Sequence, residues 1–399
     1  MFATIDAIPD RSTLLVRVDL NSPIEHEQVV DNHRFARHAS TIRRLCSSGH
    51  RVVLLAHQGR PGRPDCISLA SHAELLEAVY DLPVDFCPET IGDRARQAVG
   101  ELAVASAVLL ENVRMHPAEL ADRTPAEHAA SDFVATLAEM ADAYVGDAYS
   151  VAHRSQASVV GLPLAMDAYA GPVMVEEYQA NAAIQDRTFD GPVHMVLGGT
   201  KVPDLLRVIR GVGDRVDRFF LGGLIAELCL RAQGYDLGYD VGEDELLDPL
   251  WADHADELAA IVDAEADRLV LPVDLAGPGQ DSSRSEIAIG VGPKAHSYLD
   301  IGSNTVDRYV DALDEAAAVF VKGGLGVFED ERFATGTVSV LRSIADSDAF
   351  SVVGGGDTAR AIDLYDLDNS AFDHVSIAGG AYVRALAGEP LPGVEVLTQ

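Results

Sequence analysis

The sequence predicts an α/β protein with two domains, each built on a mostly parallel sheet flanked by helices. Short apolar runs alternate with amphipathic segments along all 399 residues, as expected for repeated βα units. In the second half, five apolar runs lead directly into glycines before a helical segment. This pattern is typical of an open, doubly wound sheet, in which ligands bind beyond the carboxyl ends of the strands.

The first part of the chain supplies four strand candidates, beginning at residues 13, 51, 107 and 142: TLLVRVDL, RVVLLAHQ, AVLLENVR and DAYVGDAY. Between them, RFARHASTIRRL and HAELLEAVY have apolar residues every three or four positions, which predicts helices. The segment 161–184 contains Pro163, Gly171 and Pro172 and then a helical stretch with Glu176 and Glu177. We expect it to connect the domains, with a boundary after residue 172.

The second part supplies the five strand-to-glycine junctions: VHMVLGG, RFFLGG, AVFVKGG, FSVVGGG and HVSIAGG. Each is expected to end a strand and begin a helix, so the five glycine segments should meet at one edge of the sheet. We expect the second domain to cover residues 173–385.

Charge is the dominant feature of the composition. The formal net charge is −33, with 63 acidic and 30 basic residues, while 48% of the residues are hydrophobic. A field of this sign opposes nucleic-acid and membrane-surface partners, and the apolar content predicts a packed core rather than disorder. Only three of the basic residues are lysines, Lys201, Lys294 and Lys322. We interpret the acidic surface as adapted to a cytoplasm of very high salt, where screening reduces self-repulsion.

The sequence predicts a soluble, cytoplasmic protein. It starts without a basic and apolar targeting segment, and its apolar runs are shorter than the roughly 18 residues of a membrane span. The four cysteines are widely spaced and form no CxxC pair, which favours reduced thiols over a metal site or disulfides.

The segment VVGGGDTAR, residues 352–360, is the strongest local indication of a phosphate site. Gly354, Gly355 and Gly356 allow the backbone to approach a ligand closely, and Asp357 and Thr358 begin the next helix, where free N–H groups favour an anion. A plain glycine turn with Asp357 as N-cap is the alternative. The chain has no GxxxxGK[ST] segment, and no GxGxxG follows its first strand. Four further glycine junctions favour binding of nucleotide phosphates.

The first part places a different set of side chains at its strand ends. They are charged or polar groups that favour a small anion: Arg17, Asp19, Asn21, Arg34, His57, Arg60, Arg114, Asp147, His153 and Arg154. Parallel strands bring their carboxyl ends to one edge, so we expect a shared anion pocket. Two alternatives are that Arg114 pairs with Glu111 and that Arg60 braces the GRPG turn. Two sites on two domains imply closure of the domains during function.

In these motifs the chain resembles the phosphoglycerate kinase family over essentially its whole length. The matching segments occur in the family's order: VRVDLNSP, AHQGRPG, LLENVRMHPAE, GDAYSVAHRSQASVVG, LGGTKVPD, LPVD, GVFE, GGGDTA and LPGVEVL. The resemblance implies two Rossmann-like domains joined by a hinge helix, and a C-terminal segment, 386–399, that returns to the first domain. It also implies a monomer that transfers a phosphoryl group reversibly from 1,3-bisphosphoglycerate to ADP in glycolysis, with Mg²⁺.

The resemblance also implies residue roles. The phosphoglycerate would be held by Asp19, Asn21, Arg34, His57, Arg60, Arg114 and Arg154. The nucleotide would be bound by Gly199, Lys201, Gly222, Gly223, Glu329, Gly354, Gly355, Gly356, Asp357 and Thr358. Within these sets, Glu329 would contact the ribose and Asp357 would interact with the metal. The groups that act on the moving phosphoryl group would be Arg34, Lys201, Gly355 and Gly356.

Several positions depart from the family pattern. Leu205 stands where a second lysine is frequent, Lys322 and Gly324 replace the Asn and Pro of the WNGP motif, and Ile377 and Ala378 alter the STGGGA motif. All these positions lie on the nucleotide side, so we expect the departures to change nucleotide affinity or base preference. One hypothesis is that Lys322 supplies the cation missing at Leu205.

Two other functions fit the predicted fold, because a fold alone does not fix an activity. One is an NAD-dependent oxidoreductase, and the other is a hinged binding protein without chemistry. A dehydrogenase assay tests the first, and magnesium-dependent ATP turnover with 3-phosphoglycerate separates the second.

Overall fold

The chain divides into two compact units. The computed structural model describes residues 2–26, 28–186, 189–238, 247–291 and 298–398, so Lys294 lies outside the described residues. Residues 1–179 and 390–399 form the first unit, and residues 180–389 form the second. The expected boundaries, after residues 172 and 385, lie seven and four residues before these divisions.

Of the seventeen strands among the described residues, eight lie in the first unit, together with seven helices that begin before residue 180. The strands are β1 (Thr13–Arg17), β2 (Ile24–Glu25), β3 (Gln28–Val29), β4 (Arg51–Leu55), β5 (Val84–Cys87), β6 (Ala107–Leu110), β7 (Ala143–Gly146) and β8 (Ala168–Ala170). The helices are α1 (His33–Ser47), α2 (Ala70–Tyr80), α3 (Asp93–Glu101), α4 (Pro125–Ala129), α5 (Asp132–Ala138), α6 (Leu162–Ala165) and α7 (Pro172–Asp186).

Six of these strands form one parallel sheet, in the order β5-β6-β4-β1-β7-β8. Strand β1 is central, and Leu14, Leu15 and Val16 are fully buried, as expected for a sheet covered on both faces. Arg17 is in register with Leu55 of β4 and Gly146 of β7. The residues that follow these three strands therefore emerge at one edge.

The second unit contains the other nine strands. They are β9 (Val193–Leu197), β10 (Arg218–Leu221), β11 (Leu269–Val270), β12 (Asp274–Pro278), β13 (Arg284–Ala288), β14 (Asp300–Ile301), β15 (Ala318–Lys322), β16 (Phe350–Gly354) and β17 (His374–Ser376). Its helices are α8 (Val202–Val212), α9 (Gly223–Ala232), α10 (Leu247–Ala264), α11 (Ser303–Leu313), α12 (Thr335–Ala345), α13 (Gly356–Leu364) and α14 (Gly380–Leu386).

The second sheet is also six-stranded and parallel, in the order β11-β10-β9-β15-β16-β17. All five predicted glycine junctions follow strands of this sheet, which confirms the predicted class of two parallel sheets flanked by helices. Strands β12, β13 and β14 form a separate antiparallel sheet that the apolar pattern did not predict.

The last residues of the chain pack on the first unit. Helix α15 (Pro392–Glu395) follows the second unit, and the Gly393 amide donates to the Ala152 carbonyl at 2.8 Å. A Cβ on Gly393 would lie 2.9 Å from the Ala152 Cα, so this close approach requires glycine. The segment therefore supports the loop that leads to Arg154.

Within the described ranges, no helix is both long enough and apolar enough to span a membrane.

Candidate active site

A group of cationic side chains lies at the carboxyl edge of the first sheet. Helix α1 begins here because the Asn32 side chain accepts from the Arg34 amide at 2.9 Å, which places Arg34 in the first turn. Arg34 donates to the Asn21 carbonyl at 2.9 Å, and its Nε lies 3.3 Å from Asp19 Oδ2. The Asn21 side chain in turn accepts from the Gly59 amide at 2.8 Å, which joins the loops after β1 and β4.

Asp19 is the buried anion that organises this group. Burial opposes its ionisation, but the positive charge of Arg34, the neighbouring His57, and hydrogen bonds from the Ser150 hydroxyl and the Asn21 amide outweigh it. The pKa of Asp19 is therefore held well below its usual range. Asp19 remains a carboxylate at neutral pH and fixes the orientation of Arg34.

Arg114 carries a buried charge that is only partly compensated. It is 6% exposed, and its Nη1 donates to the Gly59 carbonyl at 2.7 Å. Its Nε has no hydrogen-bond partner among the described residues. Burial, followed by the like charges of Arg17 and Arg154, lowers the pKa of Arg114 to about 10. Such a cluster favours binding of an anion, because an anion relieves the repulsion.

The alternative partner proposed for Arg114 is wrong. Glu111 accepts hydrogen bonds from the Leu69 amide at 3.0 Å and the Ser68 hydroxyl at 2.8 Å, so it caps the beginning of α2 instead.

His57 lies between the cationic residues and Asp19. Its Nδ1 is 3.1 Å from Arg17 Nη2 and 3.9 Å from Asp19 Oδ1. Burial lowers the pKa of His57 well below its usual value; Asp19 opposes this shift, while Arg17, Arg114 and Arg34 add to it. The imidazole is therefore neutral at physiological pH. We refer to Arg17, Arg34, His57, Arg114 and Arg154 as the anion cluster.

The structure separates Asp147 and Arg60 from the anion cluster. Asp147 is fully buried, lies 3.0 Å from His38 Nδ1 and accepts from the Val173 amide at 2.8 Å, so it stabilises the beginning of α7 rather than lining the pocket. The prediction that Asp147 belongs to the pocket is therefore wrong. Arg60 is exposed on the turn after β4, and among the described contacts its guanidinium joins none of the cluster. His153 is half-buried beside Arg154.

The glycine loops of the second sheet pack against one another through their backbones. A Cβ on Gly198 would lie 2.2 Å from the Gly324 carbonyl oxygen, and a Cβ on Gly323 would lie 2.2 Å from the Gly198 oxygen. Gly323 also has a φ of +82°, which side-chain-bearing residues rarely adopt. Gly223, beside Gly222 at the beginning of α9, approaches the Gly199 amide. These contacts bring the loops after β9, β10 and β15 together.

Two lysines lie next to these loops. Lys201 is exposed and precedes α8, while Lys322 ends β15 and is 6% exposed. A Cβ on Gly355, which has a φ of +97°, would lie 3.0 Å from Lys322 Nζ, so the ammonium lies over the turn that begins α13. Burial lowers the pKa of Lys322; Asp357 opposes the shift and Lys201 adds to it. The two ammonium groups are therefore close enough for their charges to repel each other.

The other positions expected on the nucleotide side differ in their burial and in their contacts. The Thr358 hydroxyl accepts from the Gly323 amide and donates to the Gly354 carbonyl, both at 3.0 Å, so its side chain holds two loops together and is not offered to a ligand. Glu329 is exposed and lies 3.6 Å from Arg360 Nη1. Leu205 is buried in α8.

The described residues contain no group of three histidine, cysteine, aspartate or glutamate side chains that could hold a metal ion alone. Asp357 is exposed in the first turn of α13, with the helix N-terminus beside it. Mg²⁺ is commonly bound by one or two carboxylates together with substrate phosphates. The site therefore fits a metal that arrives with a nucleotide and contacts Asp357.

Three buried residues that support the site were missed by the sequence reasoning. Ser150 donates to Asp19, and Ser158 accepts from Arg17 Nε at 2.9 Å and donates to Glu119 at 2.7 Å. Ser150 and Ser158 lie in the motif GDAYSVAHRSQASVVG, so their position was a signal. Glu119 likewise ends the motif LLENVRMHPAE, although its charge alone does not predict burial.

Cationic side chains at the edge of one parallel sheet, and glycine loops with two lysines at the edge of another, define an α/β phosphotransferase. Such an enzyme needs to neutralise and align phosphoryl oxygens rather than form a covalent intermediate.

The comparisons with known proteins identify the family. A family model described as phosphoglycerate kinase matches residues 6–389. A phosphoglycerate kinase from Halorubrum lacusprofundi is 54% identical over 397 residues, covering 99% of this chain and 98% of the relative, and one from Haloarcula marismortui is 50% identical, covering 99% of both. The crystal structure of phosphoglycerate kinase from Pyrococcus horikoshii matches with a TM-score of 0.92 at 32% identity, covering 100% of this chain and 98% of that one.

The chain therefore belongs to the phosphoglycerate kinase family, and the relatives from Halorubrum and Haloarcula place it with the halophilic archaeal type. It is a phosphotransferase with a carboxyl group as acceptor. The oxidoreductase and the non-catalytic binding protein are thereby excluded.

Proposed function

We propose that the anion cluster binds 3-phosphoglycerate or 1,3-bisphosphoglycerate, and that the glycine loops of the second unit bind ADP or ATP with Mg²⁺. The observation that carries this proposal is the concentration of positive charge around Arg114, whose own pKa is lowered first by burial and then by the like charges of Arg17 and Arg154. Asn21 and Arg60 complete the proposed phosphoglycerate site, with Arg60 reaching it only by movement of its exposed side chain.

The reaction that fits these groups is direct transfer of a phosphoryl group between a carboxylate and a nucleotide. An acyl phosphate already has a good leaving group, so the protein needs only to align the reactants and neutralise developing charge. Arg34 and Lys201 supply cations, and the amides of Gly355 and Gly356 supply hydrogen-bond donors at the beginning of α13. Mg²⁺, when bound with the nucleotide through Asp357, would neutralise phosphate charge.

Transfer requires the two substrates to meet, so we propose a closing motion about α7, which contains the division between the units. Glu329 would bind the ribose hydroxyls, and Gly199, Gly222, Gly223 and Gly354 would line the nucleotide site. On the family resemblance we also expect a cytoplasmic monomer.

We further propose that Lys322 is the second cation of the nucleotide site. Two observations support this role: its ammonium lies over the Gly355 turn, and its charge interacts with Lys201 and Asp357. It thereby replaces the lysine expected at Leu205, whose position is buried.

The test compares Arg34→Ala with Arg37→Ala on the same helix. Arg37 pairs with Glu176 and lies outside the anion cluster, so it is a matched control for the loss of one positive charge. Arg34→Ala should weaken 3-phosphoglycerate binding by roughly ten- to 150-fold, since a charge-assisted hydrogen bond contributes about 1.5–3 kcal/mol. Its ADP affinity, and both affinities of Arg37→Ala, should stay within about twofold of the parent. Unchanged phosphoglycerate affinity in Arg34→Ala would remove the assignment.

A further inference from the structure

Arg17 makes an unusual set of hydrogen bonds for a residue at the edge of a binding site. It is 1% exposed at the end of β1, and its three nitrogens contact three different groups. Nε donates to the Ser158 hydroxyl at 2.9 Å, Nη1 donates to the Val18 carbonyl, and Nη2 lies 3.1 Å from His57 Nδ1. With its guanidinium engaged in this way, Arg17 contributes positive charge to the anion cluster and is placed to orient the other side chains of that cluster.

Glu119 provides the counter-charge that keeps Arg17 in place. It is fully buried, and both of its carboxylate oxygens contact Ser158, one from the hydroxyl at 2.7 Å and one from the amide at 2.8 Å. Burial raises the pKa of Glu119, and Arg17 is the largest influence that opposes the rise. Ser158 therefore links a buried arginine to a buried carboxylate, and the guanidinium has little freedom to turn away from His57.

The contact between Arg17 and His57 fixes the tautomer of the imidazole. A guanidinium has only donors and cannot lose its proton in a protein, so the nitrogen that faces it must accept. Nδ1 of His57 therefore carries the lone pair, and the single ring proton lies on Nε2. The nearest carboxylate oxygen of Asp19 is 3.9 Å from the same nitrogen and too distant to receive a hydrogen bond from it.

We infer that Arg17 is a positioning residue that holds His57 as the neutral Nε2–H tautomer, so that His57 offers the phosphoglycerate a hydrogen-bond donor that does not titrate near neutral pH. The inference rests on the proposed function, because it assigns the ligand. Four charged groups face His57, and three of them, Arg17, Arg34 and Arg114, oppose its protonation, while Asp19 favours it. The hydrogen bond from His57 to the phosphoglycerate should therefore keep the same strength across the pH range in which an ordinary histidine, with a pKa of about 6.5, would lose its charge.

The first experiment uses the wild-type chain without substrate, labelled with ¹⁵N-histidine in molar KCl. Two-bond ¹H–¹⁵N correlation spectra distinguish the two tautomers and the imidazolium, and the His57 signals are assigned by their loss in His57→Gln. We expect a proton on Nε2 alone at pH 7, with no titration down to about pH 5.5. A proton on Nδ1, or on both nitrogens, would overturn the inference. Because no substrate is present, this result is independent of the proposed function.

The second experiment tests whether Arg17 is the cause. Arg17→Lys keeps the positive charge but removes the fixed fork of donors. We expect His57 to exchange between tautomers, and the KM for 3-phosphoglycerate to rise about tenfold and to acquire a pH dependence between about pH 5.5 and 7.5.

The matched control is Arg51→Lys. Arg51 begins β4, the strand that His57 follows, and donates to the Leu102 carbonyl at 2.9 Å. This control should leave the His57 spectrum and the pH profile unchanged. A single Nε2–H tautomer with no pH dependence in folded Arg17→Lys would show that Arg17 does not position the ring. If Arg17→Lys fails to fold, the wild-type spectrum still decides the tautomer.

Discussion

Lys322→Met should weaken nucleotide binding while it stabilises the fold. Lys322 is 6% exposed, and its ammonium lies over the Gly355 turn, close enough to Lys201 for their charges to interact. An exposed charge would contribute little, but a buried charge-assisted hydrogen bond contributes about 1.5–3 kcal/mol. The dissociation constant for ADP should therefore rise roughly ten- to 150-fold.

The effect on stability should have the opposite sign. Without a bound phosphate, Lys322 loses hydration on burial and is repelled by Lys201, and Asp357 compensates only partly, since the pKa of Lys322 remains lowered. Methionine has a similar length and no charge. Its introduction should increase the free energy of unfolding by about 1 kcal/mol, which corresponds to a Tm increase of roughly 2–4 °C.

The assay pairs isothermal titration calorimetry of ADP with differential scanning calorimetry of the nucleotide-free enzyme, both in molar KCl. Arg207→Met is the control, because Arg207 is exposed on α8 and pairs with Glu389 at 3.2 Å. It removes one positive charge from the same unit without touching the glycine loops. Unchanged ADP affinity in Lys322→Met would refute the assignment of Lys322 as a phosphate-binding cation. Lowered stability together with lowered affinity would indicate that the residue supports the loops only structurally.

Three further predictions concern Lys201, Asp300 and the acidic surface. Lys201→Arg should lower kcat at least about tenfold at saturating substrates, because a compact ammonium can follow the moving phosphoryl group and a planar guanidinium cannot; Lys294→Arg is the control. Burial raises the pKa of Asp300 to about 6, with the Gly336 amide and Arg284 opposing the rise. Because the folded state holds this proton more tightly, the free energy of unfolding should fall by roughly 1 kcal/mol from pH 5 to 7, and Asp300→Asn should lack this component in urea titrations. Finally, the Tm should rise from dilute buffer to molar KCl as the Debye length falls from about 30 Å to about 3 Å, and a constant Tm would contradict the halophilic interpretation.

The sequence was most informative about strands that end in glycine. VHMVLGG and FSVVGGG became β9 and β16 with their loops at the same edge, because buried parallel strands are continuous apolar runs and their loops require close backbone approach. The antiparallel sheet around β13 escaped prediction, since RSEIA is half exposed and lacks a continuous apolar run.

Side-chain direction could not be predicted from the same pattern. Asp19 and Asp147 both follow central strands and both were expected in the pocket, yet Asp19 pairs with Arg34 while Asp147 pairs with His38 and caps α7. Successive residues at a strand end point in different directions, and the partner that captures each one comes from another part of the chain. Only the tertiary structure determines which partner is present.

The return of residues 390–398 to the first unit has a consequence for biosynthesis. The Ala152 carbonyl receives the Gly393 amide at 2.8 Å, and a Cβ on Gly146 at the end of β7 would lie 2.8 Å from a methyl group of Leu397. These contacts support the loop that carries Arg154, yet residues 390–398 are translated only after the whole second unit, residues 180–389. The nascent first unit therefore cannot assume its final packing until the second unit has been translated. Competence of the anion cluster is thereby tied to synthesis of residues 390–398, and a product that terminates before them lacks this support for Arg154.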